Sequence, residues 1–478
     1  MNPVASSQFA PNGAASSREF SSFRDPSGFL FWQDGTIYRW INGEYAPTFR
    51  KAEDSGLLAK AIDAGLLLPF EACPVAAFAP GGADRTDARV LKPRQLALLT
   101  YPYEWSFTQL QDAALTTLDL HLLALDHGML LKDASAFNIQ FVEGKPCLID
   151  HLSFDTLEAH RAWPAYGQFC RHFLAPLLLM AQVDLSLGRM LEIHLDGIPL
   201  DLASRLLPRR SQLSPGIQMH LHLHGRMTRK YAGERKRVTA RRALSANQYK
   251  AIASSLRSLV AKLQPKEQIT EWGDYYTDTN YSSSAFDAKK AIVREFVRQA
   301  APRTLWDLGG NNGEMSRAVR DLASEILCVD IDPRAVDANY RQCRAEHITN
   351  IVPALADLTN PTPALGFFNR ERKALFERSP PDLIMGLALI HHLAIANNLP
   401  LPKIAHFFAT LAPALIIEFV PKSDAQVGRL LANRPDIFPD YTTSHFEQAF
   451  GTHFDIREKR EIPESERTVY LLVRKMPR

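Results

Sequence analysis

Cysteine is scarce. The chain carries five in 478 residues, at positions 73, 147, 170, 328 and 343, and no two form a Cys-x-x-Cys pair. That spacing speaks against both a zinc site and a disulfide framework, and it fits reduced thiols in a cytoplasmic protein. Long apolar runs are also missing. The longest, residues 173–183, is interrupted by Pro176 and is far short of a bilayer span. Residues 1–20 are rich in Ser, Ala, Asn and Gly with no apolar segment, which reads as a disordered tail rather than a signal peptide. Neither sign of charge is in excess: 55 basic side chains face 52 acidic ones for a net +3, so composition selects no polyanionic partner.

What is present is enough apolar residue, 46%, for sizeable cores in a chain too long for one. Patterning divides it into a tail (1–24), an α+β domain (25–205), a helical basic linker (206–270) and an α/β domain (271–478). The last is organised around Thr-Leu-Trp-Asp-Leu-Gly-Gly-Asn-Asn-Gly-Glu at 304–314. An apolar strand ends at Asp307, a turn of Gly309, Gly310, Asn311, Asn312 and Gly313 follows, and a helical pattern begins near Glu314. Glycine and asparagine accept the left-handed backbone such a loop needs. The N–H groups at the helix start are expected to suit an anionic group.

In chain order, two aromatic and β-branched runs flank Asp34-Gly35, a strong hairpin signal. The periodicity predicts helices over 55–68 and 106–127, with a strand at 96–100 between them. Residues 127–150 then place Asp133, Asn138 and Asp150 at suggestive spacings on a loop and a strand end. Taken singly, each fits a turn cap or an Asx-turn. Jointly they resemble the catalytic loop and metal-binding aspartate of protein kinases and small-molecule phosphotransferases. The resemblance implies Asp133 as base, with Asn138 and Asp150 holding magnesium beside a nucleotide. The upstream glycine-rich loop is absent, with only Gly28 and Gly35 in the hairpin, and His151 and Leu152 stand after Asp150. A degenerate kinase-like domain is therefore expected, with an active phosphotransferase as the alternative.

Residues 226–242 carry eight Arg and Lys against Glu234, with Tyr231 the single aromatic. No stacking platform interleaves the charges, so a solvated helix is expected and nucleic acid is not. His220, His222 and His224 alternate, which groups them on one side only of an extended chain; no metal is expected there. The segment 272–281 is dense in aromatics, Tyr275, Tyr276 and Tyr281 among them. It reads either as a domain edge or as a pocket wall.

From residue 284 onward, strands and helices alternate as in a largely parallel sheet. Acidic residues fall at successive strand ends, Asp307, Asp330 and Asp357, 23 and 27 residues apart, about one βα unit each. Ligands of such sheets bind at the carboxyl ends of strands, so one pocket can collect all three. A dinucleotide loop needs glycine at 311 and 314, where Asn311 and Glu314 stand. The arrangement Asp307, Gly309, Asn311, Gly313 resembles instead the Asp/Glu-x-Gly-x-Gly-x-Gly loop of class I S-adenosylmethionine-dependent methyltransferases, with one Gly-to-Asn departure. Val-Asp-Ile-Asp-Pro at 329–333 is similar to that family's second-strand motif, and Leu-Ile-His-His-Leu at 389–393 to a segment of its small-molecule members. The Asn/Asp-Pro-Pro-Tyr tetrapeptide of amino methyltransferases is absent.

The resemblance covers 272–478 and implies a Rossmann-like seven-stranded sheet binding S-adenosylmethionine. Asp307, Gly309, Gly310, Asn311 and Gly313 would form the loop, Asp330 and Ile331 would meet the ribose side, Asp357 and Leu358 the adenine, and Tyr275, Tyr276 or Tyr281 would close over the sulfonium. His391 or His392 would serve as base, the alternatives being a helix cap and a core packing role. The chain as a whole is similar to bacterial methyltransferases related to nodulation proteins. That group implies a methyltransferase with this N-terminal extension and leaves the acceptor open; the missing tetrapeptide and the histidine pair point to oxygen methylation of a small-molecule or saccharide acceptor, with no metal and no membrane span expected.

Overall fold

The computed structural model describes residues 17–78, 84–159, 162–226, 244–266, 282–432 and 434–475. The N-terminal half opens with a five-stranded antiparallel sheet of Ser17–Arg18, Gly28–Gln33, Thr36–Ile41, Arg89–Pro93 and Phe70–Cys73, in that spatial order. Gln33 pairs with Thr36, and Asp34 and Gly35 between them both have positive φ, 50° and 73°. This is the turn whose twist suits a tight hairpin, as the Asp-Gly pair predicts.

Two local expectations fail for identifiable reasons. Residues 55–68 are helical only over Leu57–Asp63, because Gly56 before it and Gly65 after it turn left-handed at φ 77° and 69°; a separate helix, Ala46–Asp54, precedes it. Residues 96–100 are not a strand. The neighbouring segment Arg89–Pro93 takes the place in the sheet, between Thr36–Ile41 and Phe70–Cys73, and the Gln140 side chain takes both backbone groups of Thr100 that a ladder would use.

The helix Phe107–Asp126 is the axis of the N-terminal core. Ser106 and Gln109 cap its first turn reciprocally, and buried residues run along several of its faces, as befits a central helix. The region expected to be a linker joins the same core where it is described. Ile217 and Leu221 are buried in it, and Ala246–Ala261 lays Tyr249, Ala253, Leu256 and Val260 against it. His220 and His222 sit in a helical stretch, buried, and bond to Tyr166 and Ser255 and to Ser204 and Ser211 respectively. Of the basic segment only Arg226 is described; the rest lies outside the described residues.

The C-terminal half holds one seven-stranded sheet. Its strands are β1 (Thr304–Leu308), β2 (Glu325–Asp330), β3 (Ile351–Leu355), β4 (Leu383–Gly386), β5 (Ala414–Phe419), β6 (Phe454–Glu461) and β7 (Thr468–Arg474). They lie in the order β3-β2-β1-β4-β5-β7-β6. The first five pair in parallel and β7 antiparallel to both neighbours. β1 is buried along its whole length and β4 likewise, the near-continuous apolar run of strands covered on both faces.

The two halves are fastened together by buried polar contacts. Glu104 and Arg378, both buried, pair through two bonds. Gln109 Nε2 donates to the Pro353 carbonyl of β3 at 2.9 Å, the Thr108 N–H donates to Asp337 at 2.8 Å, and the Tyr340 hydroxyl donates to Asp112 at 2.8 Å. Tyr340 packs into the N-terminal core itself. Among the described residues no helix is long and apolar enough to cross a membrane.

Candidate functional site

The strand order reverses between β1 and β4, so a crevice opens above the carboxyl end of β1. Three chain segments lead into it. Asp307 lies near the end of β1, Asp330 ends β2, and Asp357 follows β3 by two residues. All three line one cavity of about 320 Å³, together with Gly309, Gly310, Asn311, Ile331, Leu358, Leu389 and His392. Of the residues singled out from the sequence, Gly313 and His391 are not on its wall, and Tyr275, Tyr276 and Tyr281 lie outside the described residues.

The loop has the backbone its composition calls for. Gly309, Asn311 and Gly313 take φ of 77°, 48° and 77°, so asparagine occupies the same left-handed region as the glycines around it. Gly310 is needed for another reason. A Cβ there would stand 2.4 Å from Cys328 Sγ and 2.9 Å from Asp307 Oδ2. At Gly313 a Cβ would meet Asn339 Oδ1 at 2.2 Å. The anion-friendly helix start is not realised. The helix Glu314–Ala318 is a single short turn, and the Asn312 side chain already accepts the Glu314 N–H at 3.2 Å.

The carboxylates are buried, and that sets their chemistry. Asp330 Oδ2 accepts the Asn311 N–H at 2.8 Å and Oδ1 accepts the Asp332 N–H at 2.9 Å. The acid on β2 thereby fixes the glycine loop after β1. Asp307 Oδ2 accepts the Ser316 hydroxyl at 2.7 Å. Burial pushes both carboxyl groups up to about 6 despite these bonds. Asp357 is half-buried and accepts from the Thr359 N–H and hydroxyl. Ile331, 52% exposed yet on the cavity wall, offers an apolar face beside these acids.

The histidines part company. His392 lines the cavity, while His391 is buried behind it with Nδ1 unpaired among the described residues. Their rings lie 4.1 Å apart. Burial, with the Arg467 charge adding to it, lowers His392 to about 4, so its imidazole is neutral at physiological pH. His391 is lowered further, chiefly by burial.

Sequence reading missed an ion network at the cavity floor. Lys289 lines the cavity and donates to Glu418 Oε2 at 2.6 Å. The same oxygen accepts the Ala388 N–H at 2.8 Å, and Arg467 approaches Glu418 Oε1 at 3.5 Å while binding Asp424. Burial outweighs the pull of Glu418 and lowers the Lys289 ammonium. Glu418 also steadies Ala388, a non-glycine residue at φ 48°, from which the chain runs on to the histidines. The signal was present: Lys289 falls at helical spacing among Phe286, Val293 and Phe296, a lysine on an otherwise apolar face.

The residues fit S-adenosylmethionine. Asp330 accepts backbone N–H groups on both oxygens and, with about four acceptor sites in all, retains capacity for a pair of ribose hydroxyls. Asp357 can accept an amine, Ile331 and Leu358 supply apolar faces for an aromatic base, and a positive-φ loop backed by Asp307 leaves room for the amino-acid end.

No protein-family model matches the chain. It is 35% identical over 482 aligned residues to nodulation protein NoeA of Rhizobium meliloti (strain 1021), covering 99% of this chain and all of that relative. Solved structures with partial likeness include the N-methyltransferase NodS of Bradyrhizobium japonicum WM9, at 12% identity, TM-score 0.31, and 41% of this chain against 99% of that one. Magnesium protoporphyrin IX methyltransferase of Synechocystis PCC 6803, solved with bound S-adenosylmethionine, gives 15%, 0.29, and 43% against 89%. WbdD gives 14%, 0.29, and 46% of each chain. At such scores it is the strand order of the C-terminal sheet, and not these likenesses, that marks the fold. The chain belongs to the family of nodulation protein NoeA, and its C-terminal half has the class I S-adenosylmethionine-dependent methyltransferase fold.

Proposed function

We propose that the protein is an S-adenosylmethionine-dependent methyltransferase acting on an oxygen of a small-molecule or saccharide acceptor. The observation that carries this is the convergence of Asp307, Asp330 and Asp357 on one cavity beside a loop in the left-handed backbone region. The cofactor brings an activated methyl group on a sulfonium, so the protein's share of catalysis is mainly to position the partners. Asp330 holds the ribose and Asp357 the adenine amine. Asp307 and Lys289 face the amino-acid end with opposite charges.

The acceptor enters on the side of His392, Ala396, Asn397 and Leu430, the part of the cavity lining supplied by helical segments and not by the loops after β1, β2 and β3. Transfer to a hydroxyl releases a proton, and His392 is the titratable side chain on that wall able to take it. Its low proton affinity makes it a weak base, suited to an acceptor hydroxyl that is itself acidic or that loses its proton late. His391, off the wall, acts as packing for its neighbour. The N-terminal half, fastened to the sheet through Glu104–Arg378, presents or recognises the acceptor.

Calorimetry with S-adenosylmethionine and with ATP tests the reading, with binding of the first and not the second expected. Labelled methyl donor and fractionated cell extract then show whether label enters saccharide, lipid, protein or RNA. Retained turnover in His392→Ala would remove the base while leaving the methyltransferase reading in place.

A further inference from the structure

The N-terminal half contains a second cluster of ionisable groups, remote in sequence from the cofactor cavity. Arg39, on the strand Thr36–Ile41, is 7% exposed. Its Nη2 donates to Asp150 Oδ1, its Nη1 lies 3.8 Å from Asp25 Oδ2, and its Nε has no hydrogen-bond partner among the described residues. Asp150 Oδ2 accepts the Ser153 hydroxyl at 2.6 Å, and Asn138 Nδ2 reaches the same hydroxyl at 3.4 Å. Asp133 stands near enough for the charge on Asp150 to raise its carboxyl, second only to burial. The charge on Asp150 likewise adds to burial in raising Asp25. Lys132 is turned aside, donating to Ser27 at 2.6 Å above the Tyr45 ring.

Carboxylates and an amide oxygen are the donor types of a hard divalent cation, and here Asp25 and Asp150 flank the Arg39 guanidinium, with Asp133 within reach of the charge on Asp150. Magnesium needs close to octahedral oxygen coordination at about 2.0–2.1 Å, and the face of Asp150 that would bind it is taken by a guanidinium. No group of His, Cys, Asp or Glu among the described residues is arranged to hold a metal. The residues therefore do not fit the magnesium that the kinase-like spacing of Asn138 and Asp150 implies. We propose that Arg39 is a built-in cation that replaces a divalent metal in the Asp25–Asp133–Asp150 basin, so that this half of the protein works without metal or nucleotide.

A use for the arrangement is visible in the same loop. Phe137, between Asp133 and Asn138, packs against Tyr101 and Tyr103, and Arg372 of the C-terminal half lies 4.5 Å above its ring. A loop tied through Asn138 and Ser153 to the Asp150 that Arg39 holds is a fixed seat for the 358–381 segment. A loop that opened for nucleotide and metal turnover would disturb that seat.

The test uses the full-length protein. Wild type is expected to show no saturable change in melting temperature or calorimetric heat with MgCl2, MnCl2 or Mg-ATP. Arg39→Gln exposes the uncompensated carboxylates; it is expected to melt lower and to recover saturably with Mg2+ or Mn2+. Arg39→Lys keeps a cation in place and is expected to stay indifferent to metal. Saturable Mg-ATP binding by wild type, or a folded Arg39→Gln with no response to either metal, overturns the proposal. Should Arg39→Gln fail to fold, the wild-type titrations and Arg39→Lys still decide it, because saturable metal binding by either is incompatible with a basin already filled.

Discussion

Asp330→Asn separates ligand binding from folding. The carboxylate is buried with its affinity for protons raised to about 6 from an ordinary value near 3.8, which corresponds to about 3 kcal/mol of native-state destabilisation at neutral pH. The sign follows from linkage. A carboxyl raised in the native state leaves stability intact below its unfolded pKa; the loss grows as pH rises from about 3.8 to about 6 and is constant above that. The asparagine removes that term. It also turns an N–H2 toward either the Asn311 or the Asp332 N–H, both of which now find an oxygen, and a lost bond of this charged kind costs about 1.5–3 kcal/mol. The two effects nearly cancel, so the unliganded variant is expected to melt close to wild type at pH 7.5.

Cofactor affinity has no such compensation. The ribose loses one charge-assisted acceptor outright and finds the other neutral, together about 3–5 kcal/mol, or about two to four orders of magnitude in Kd. Calorimetry with S-adenosylmethionine and S-adenosylhomocysteine measures the affinity, and a melting curve without ligand measures the fold. An affinity within threefold of wild type would refute the assignment of Asp330 to the ribose. A large fall in melting temperature would mean that its bonds to Asn311 and Asp332 matter more than its burial.

Three further outcomes are expected. Affinity for S-adenosylmethionine falls as pH drops through about 6, where Asp330 and Asp307 take up protons; the ligand-induced rise in melting temperature is therefore larger at pH 8 than at pH 5, and this difference is flattened in Asp330→Asn. Gly310→Ala drives a methyl group against Cys328 Sγ and Asp307, an overpacking of about 1–3 kcal/mol seen as a lower denaturation midpoint together with weaker cofactor binding. Arg378→Met leaves Glu104 buried without its partner, a change of about 3–5 kcal/mol; urea unfolding read by tryptophan fluorescence is expected to show it, and Glu104→Gln/Arg378→Met together to recover part of it.

The five parallel strands of the C-terminal sheet were legible because each is short, largely apolar and closed within two residues by an acid, a glycine or a proline. Residues 454–461 and 468–474 stand out as a pair, and the left-handed backbone at Asn311 follows from residue type alone. The N-terminal half was less so. Gly56 and Gly65 trim to Leu57–Asp63 a helix that periodicity extends over 55–68, because a left-handed residue leaves the apolar spacing beside it unchanged. Residues 96–100 look like a strand but spend their hydrogen bonds on a side chain 40 positions away, which no local pattern encodes. The basin at Asp150 was half legible: the acids follow from their spacing, but the pairing of Arg39 is a contact across 111 positions. Lys289 was passed over for the opposite reason. It was visible on a buried helix face, and only its partner Glu418, on β5, shows what it does there.

Where the two halves meet bears on the cofactor site itself. Asp357, Leu358 and Thr359 line the cavity at the start of a segment that runs to β4. The N-terminal half holds that segment at several points, among them Glu371 by Arg24, Arg372 by the rings of Tyr101 and Phe137, and Arg378 by Glu104. A connection of this length between β3 and β4 has too little apolar residue in contact with its own sheet to fix itself, since Leu375 is the one residue of 365–380 in that core and Phe376 is packed beside it. Its order comes from outside. The adenine end of the cavity is thus shaped by the N-terminal half, whereas Asp307, Asp330 and the glycine loop are held by bonds within the sheet. The C-terminal half expressed alone should accordingly keep its fold and its grip on the ribose while losing definition around the base.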